Sequence, residues 1–189
     1  MIYLQEYLTK SIGYNEYQTA IQAIVDANDP ETKYLDYIRL NVQRMIRLNK
    51  TIHVLPELEA AVKAINTPQY WFVLSEGWCG DAAQTTPLMA KLAELNPQIS
   101  LQFLWRDQNT ELMDQFLTDG KSRSIPKLIA TDSEGKVLFD WGPRPEELQI
   151  IYKDHAAKGT PFTEVAEILQ KWYLQDKTVS TQKEILERL

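Results

Sequence analysis

The residues best suited to do chemistry lie in one stretch, Ser75-Glu76-Gly77-Trp78-Cys79-Gly80-Asp81-Ala82. An apolar run from Tyr70 to Leu74 precedes it, and Leu88, Met89, Leu92 and Leu95 recur at helical spacing behind it. The order is therefore strand, tight turn, helix. This puts Cys79 where the helix begins. A thiol there meets unpaired backbone N–H groups and the positive end of the helix dipole, and both favour the nucleophilic thiolate. Asp81 acts the other way on the sulfur, because a carboxylate two residues off repels a second negative charge. The same carboxylate favours the helix itself from its first turn. Without such a setting, a lone cysteine is a small buried hydrophobe.

Cys79 is the only cysteine in the chain, so no intramolecular disulfide can form. A dithiol reductase attacks a disulfide with one thiolate and releases the mixed disulfide with a second. Ala82 cannot supply that second thiol, and no other residue replaces it. The remaining redox chemistry uses one thiol: Cys79 takes a low-molecular-weight thiol from a protein and passes it to another thiol, or it is capped reversibly as a sensor.

Trp78-Cys79-Gly80-Asp81-Ala82 resembles the Trp-Cys-Gly-Pro-Cys site of thioredoxins, with Asp81 in the place of the proline and Ala82 in the place of the resolving cysteine. Pro87, eight residues after Cys79, matches the proline that kinks this helix in thioredoxins. Ile125-Pro126, just ahead of the strand-like Lys127 to Thr131, resembles their cis-proline loop. Gly142, sixteen residues after Pro126, matches a thioredoxin glycine. The resemblance covers roughly residues 56–157. It implies a three-layer α/β/α sandwich around a mixed central sheet, with a cis Pro126 facing Cys79. It also implies that the backbone of Ile125 pairs with an extended substrate chain and that Trp78 flanks the groove. Cys79 is then the catalytic residue, and Trp78, Gly80, Asp81, Ile125 and Pro126 contact the substrate. Two functions follow as expectations: single-cysteine thiol–disulfide exchange at Cys79, or a non-catalytic module that binds a protein partner in the Pro126 groove.

The elements that must position these residues read in order. Residues 1–55 form a helical extension, with Tyr17, Ala20, Ile21, Ile24 and Val25 on one face. Asn28-Asp29-Pro30 ends that helix and starts another, with Asp29 as N-cap, running to about Asn49. Arg39, Arg44 and Arg47 read as its solvated rim, with a binding patch as the alternative. A thioredoxin-like domain spans 56–157: a helix over 56–65, a strand at 70–75, the Cys79 helix to about Asn96, and a parallel strand at 99–105. A helix over 110–117 and the solvated loop with Lys121 and Arg123 lead to Pro126. Strands at 127–131 and 136–141 form an antiparallel hairpin, followed by a helix from Glu146 to about Ala157. Residues 158–189 form a C-terminal helical extension. Phe162, Val165, Ile168, Leu169 and Trp172 line its main helix, and a loose or frayed segment follows Val179.

With 189 residues the chain is long enough for one domain with a substantial core, and 44% hydrophobic residues is ordinary for a globular protein. A net charge of −6 argues against nucleic acid or an anionic membrane as partner. No run reaches membrane-spanning length, and Met1 to Glu6 lacks the pattern of a secretory signal. With the single cysteine, these features lead us to expect a cytoplasmic protein. His53 and His155 lie in no metal-ligand spacing, so no metal site is expected. The expected partners are protein thiols or an extended peptide segment, and no cofactor is expected beyond a low-molecular-weight thiol.

Overall fold

The structure is a computed structural model that describes residues 2–189. Its four strands are β1 (Gln69–Ser75), β2 (Ile99–Trp105), β3 (Lys127–Asp132) and β4 (Val137–Trp141). They form one sheet in the order β2-β1-β3-β4. β1 pairs with β2 in parallel and with β3 antiparallel, and β3 pairs antiparallel with β4, so the sheet is mixed. The parallel pair is joined by α5 (Gly80–Glu94), which makes a βαβ unit.

β1 occupies the sheet interior because its side chains are apolar on both faces. Trp71 and Val73 point to one face, Phe72 and Leu74 to the other, and all four are fully buried. The first face is covered by α2 (Tyr14–Ala27), α3 (Leu35–Thr51), α4 (Pro56–Ala64), α5 and α9 (Val179–Leu186). The second is covered by α1 (Leu4–Leu8) and the short α6 (Thr110–Met113), through Tyr7, Leu112 and Met113. α7 (Glu146–Ala157) and α8 (Phe162–Asp176) share a small cluster of their own, built on Leu148, Val165, Leu169 and Tyr173.

The N-terminal extension is part of the main core. Tyr17 stacks on Phe103 with ring centroids 4.5 Å apart, and its hydroxyl shares a 2.8 Å hydrogen bond with Ser75 Oγ. Ile12 adds an antiparallel bridge to the outer edge of β2 at Phe103, which covers part of that edge.

Three elements depart from the sequence reading. α3 begins at Leu35 rather than at Pro30, because Asp29 Oδ1 accepts from Glu31 N in a local turn and Tyr34 takes a left-handed backbone with φ 65°. The helix expected over 110–117 ends at Met113, and Gln115, Phe116 and the Thr118–Ser122 bridge form turns instead. The segment after Val179 is no frayed end. Ile185, Thr181 and Gln182 are buried, and Gln182 is bonded to both His53 O and Leu55 N.

Candidate functional site

Cys79 is the N-cap of α5. Its Sγ accepts from Ala82 N at 3.4 Å, as a capping oxygen would, and its S–H donates to the carbonyl of Ile125 at 3.2 Å. The second bond joins the two halves of the site, which lie far apart in sequence. Pro126 follows with a cis peptide bond, and so does Pro143 after Gly142. Gly142 sits at φ 118° against Pro126, where an added Cβ would lie 2.2 Å from the Pro126 carbonyl oxygen. Only glycine allows the two loops to approach this closely.

The thiol is protonated at rest. Cys79 is 7% exposed, among Phe72, Leu74, Ile125 and Ile129. Burial, and then the charge of Asp81, push its pKa up to about 12; the backbone N–H groups of Ala82 and Asp81 and the Arg144 guanidinium pull less strongly the other way. The bond to Ile125 needs the proton and favours the same state. The helix start does favour the thiolate, but desolvation outweighs it.

Asp81 is turned into the protein, onto Arg144 and Tyr173. Its carboxylate is 8% exposed at the residue level and is fully engaged. Oδ2 accepts from Arg144 Nη2 at 2.6 Å and Nε at 3.2 Å, and Oδ1 accepts from the Tyr173 hydroxyl at 2.9 Å. Where the resembled motif has proline, this chain has the anchor for two later segments. Gly80 lies beneath Gln170 and Arg44: an added Cβ would be 3.0 Å from Gln170 Nε2 and 3.7 Å from Arg44 Nη1. Gln170 Oε1 also accepts from Gln84 Nε2 at 2.6 Å.

The turn before Cys79 is held from the other side. Asn41 Nδ2 donates to Gly77 O at 2.9 Å, and Arg44 Nη1 donates to Asn41 Oδ1 at 2.7 Å. Arg44 therefore belongs to the site, not to a solvated rim. Trp78 is half-buried, with Tyr34 at 5.6 Å between ring centroids and the Arg106 guanidinium 5.6 Å from its ring. Arg106 Nη1 reaches back to Arg123 O at 2.6 Å. Lys121 and Arg123 are exposed, and Arg123 pairs with Asp114. Among the described residues no group of three or more His, Cys, Asp or Glu side chains is placed to hold a metal ion.

Cys79, Gly80, Asp81, Ile125 and Pro126 are thus brought together, with Trp78 at the rim. Asn41, Arg44, Arg144, Gln170 and Tyr173 lie outside the set of site residues that the sequence indicates. Tyr173 had a readable signal in the i, i+4 series Val165, Leu169, Tyr173, all buried. The face drawn through Phe162 and Trp172 is displaced from it, and Phe162 is 67% exposed.

A mixed sheet, a cysteine capping the following helix and a proline loop opposite define a thioredoxin-fold protein with a single site cysteine. The chain belongs to the thioredoxin family, whose model matches residues 27–177. A protein of unknown function from Pseudomonas aeruginosa, PA1234, has a similar structure, with TM-score 0.60 and 17% identity over 79% of this chain and 83% of that one. An HIV epitope-scaffold is also similar, with TM-score 0.56 and 16% identity over 94% of this chain and 97% of that one. At these identities the likeness concerns the fold. No curated protein sequence matches.

Proposed function

We propose that the protein carries out single-cysteine thiol–disulfide exchange at Cys79, with the thiol held in reserve until the site opens. The observation that carries the reading is the 3.2 Å bond from Cys79 Sγ to the Ile125 carbonyl. It sets the sulfur beside the backbone that an extended substrate would meet. In the exchange, the Cys79 thiolate attacks one sulfur of a mixed disulfide between a protein and a low-molecular-weight thiol. A new S–S bond joins Cys79 to the small thiol, and the protein thiolate leaves and takes up a proton. A second small-molecule thiolate then attacks the capped Cys79, releasing a symmetric disulfide and regenerating the thiol. Trp78 and Ile125 would contact the substrate chain. Asp81 would anchor the site rather than touch substrate.

The experiment is incubation of the folded chain with glutathione disulfide, followed by intact-mass measurement. One glutathione adduct on Cys79 is expected, reversed by excess reduced glutathione. Failure to form it in the folded state would end the exchange reading. The burial of Cys79, with its pKa pushed up to about 12, favours a second reading: a non-catalytic module that uses the Pro126 groove to hold a protein partner. That reading predicts partner binding unchanged in Cys79→Ala. In either case the setting that fits the single thiol is a reducing one such as the cytoplasm. Among the described residues no helix is long and apolar enough to cross a membrane.

A further inference from the structure

We propose that α7 and α8 form a latch over the Cys79 turn, fastened on Asp81, and that substrate reaches the thiol when this latch lifts. The inference rests on the exchange reading above and adds how the site would be regulated. It starts from the separateness of the helix pair. Leu148, Val165, Leu169 and Tyr173 make a cluster distinct from both faces of the sheet. Trp172 donates to Glu147 within the pair, and the Arg144 guanidinium lies 4.3 Å from the Tyr152 ring.

The ties from this pair to the site converge on the first turns of α5. Tyr173 and Arg144 both hold the Asp81 carboxylate. Gln170 accepts from Gln84 and lies against Gly80. These bonds are polar, and the carboxylate is buried, so losing one partner leaves a buried charge short of a hydrogen bond. At its ends the pair is bounded by residues of positive φ: Gly142 at 118° before it, and Lys177 at 53° and Thr178 at 70° after it. Other ties lie elsewhere: the exposed pair Lys153–Asp119, the bond from Glu146 N to Glu184, and the Asp176 carboxylate, which accepts from Ser180 N and Oγ across Lys177 and Thr178. None touches the Cys79 turn. Opening would carry Arg144 and Tyr173 away together and leave the start of α5 to solvent.

The test is the rate at which iodoacetamide alkylates Cys79 in the folded full-length chain, for the parent, Tyr173→Phe, Asp81→Asn and Val62→Ala. Val62 is fully buried in α4 and makes none of the latch contacts named above, and serves as a control for lost global stability. The rate should rise about tenfold or more in Tyr173→Phe and Asp81→Asn, the change in an opening equilibrium when a hydrogen bond to a buried charge is lost. The factor should hold at every pH for Tyr173→Phe, which keeps the Asp81 charge. Val62→Ala should react at the parent rate. Unchanged rates in Tyr173→Phe, or an equal rise in Val62→Ala, would overturn the latch. Glutathione disulfide separates the two ideas. Faster alkylation without any mixed disulfide keeps the latch and removes the exchange reading. A parent that forms the mixed disulfide as fast as Tyr173→Phe removes the latch and keeps the exchange.

Discussion

Cys79 shows how one position carries two opposed influences. The α5 start offers N–H groups to the sulfur, yet the side chain is packed among Phe72, Leu74 and Ile129 and its S–H donates to the Ile125 carbonyl. The consequence for stability has a definite sign. The folded-state pKa is raised to about 12 from the 9.0 of a free thiol, so the neutral thiol contributes stability that is fully present below about pH 9 and is lost as pH rises toward 12. Tyr17 and Tyr173, also raised by burial, add to the same alkaline loss at higher pH. Urea midpoints measured from pH 8 to 10.5 should therefore fall more steeply in the parent than in Cys79→Ala; parallel curves would mean that the thiol is not held neutral. The position of Cys79 was legible because the apolar period changes from strand to helix across it. Its burial was not, since that depends on Ile125, Phe72 and Ile129 meeting around it. Asp81 was legible as a helix-start carboxylate, while its partners Arg144 and Tyr173 lie 63 and 92 positions away.

At the scale of elements, the strands and α5 followed from pattern because their neighbours agree with their local preference. Gln69–Ser75 and Ile99–Trp105 are apolar runs bounded by turn residues, and both are strands of the sheet. α9 had the opposite character. Its sequence is mostly polar, and it is ordered by packing of Ile185 on the core and by Gln182, whose side chain satisfies backbone groups at His53 and Leu55. Buried polar residues with distant partners leave no periodic trace. Ile185 is fully buried, so Ile185→Ala should cost about 2–5 kcal/mol in denaturant unfolding. A loss below about 0.5 kcal/mol, the range of a surface change, would show that α9 does not brace the core. α3 starts later than its sequence pattern suggests for a related reason: Asp29 caps a local turn, and the left-handed Tyr34 delays the helix by a turn.

At the scale of the whole molecule, the helical segments at both ends of the chain converge on the Cys79 turn. α3 holds it through Asn41 and Arg44, and α8 through Gln170 and Tyr173. Neither contact could be read from the thioredoxin-like stretch alone, since α3 and α8 lie outside residues 56–157. On the proposed function, Cys79 is a buried single thiol that becomes available by local opening. The most direct measurement is the urea dependence of Cys79 labelling by glutathione disulfide, followed by mass at urea concentrations well below the unfolding midpoint. Labelling through a lifted latch exposes little surface, so its rate should be nearly independent of urea there and rise only near the midpoint. A rate that climbs from zero urea with the full slope of global unfolding would mean that Cys79 reacts only in the unfolded chain, contradicting a working thiol at this site.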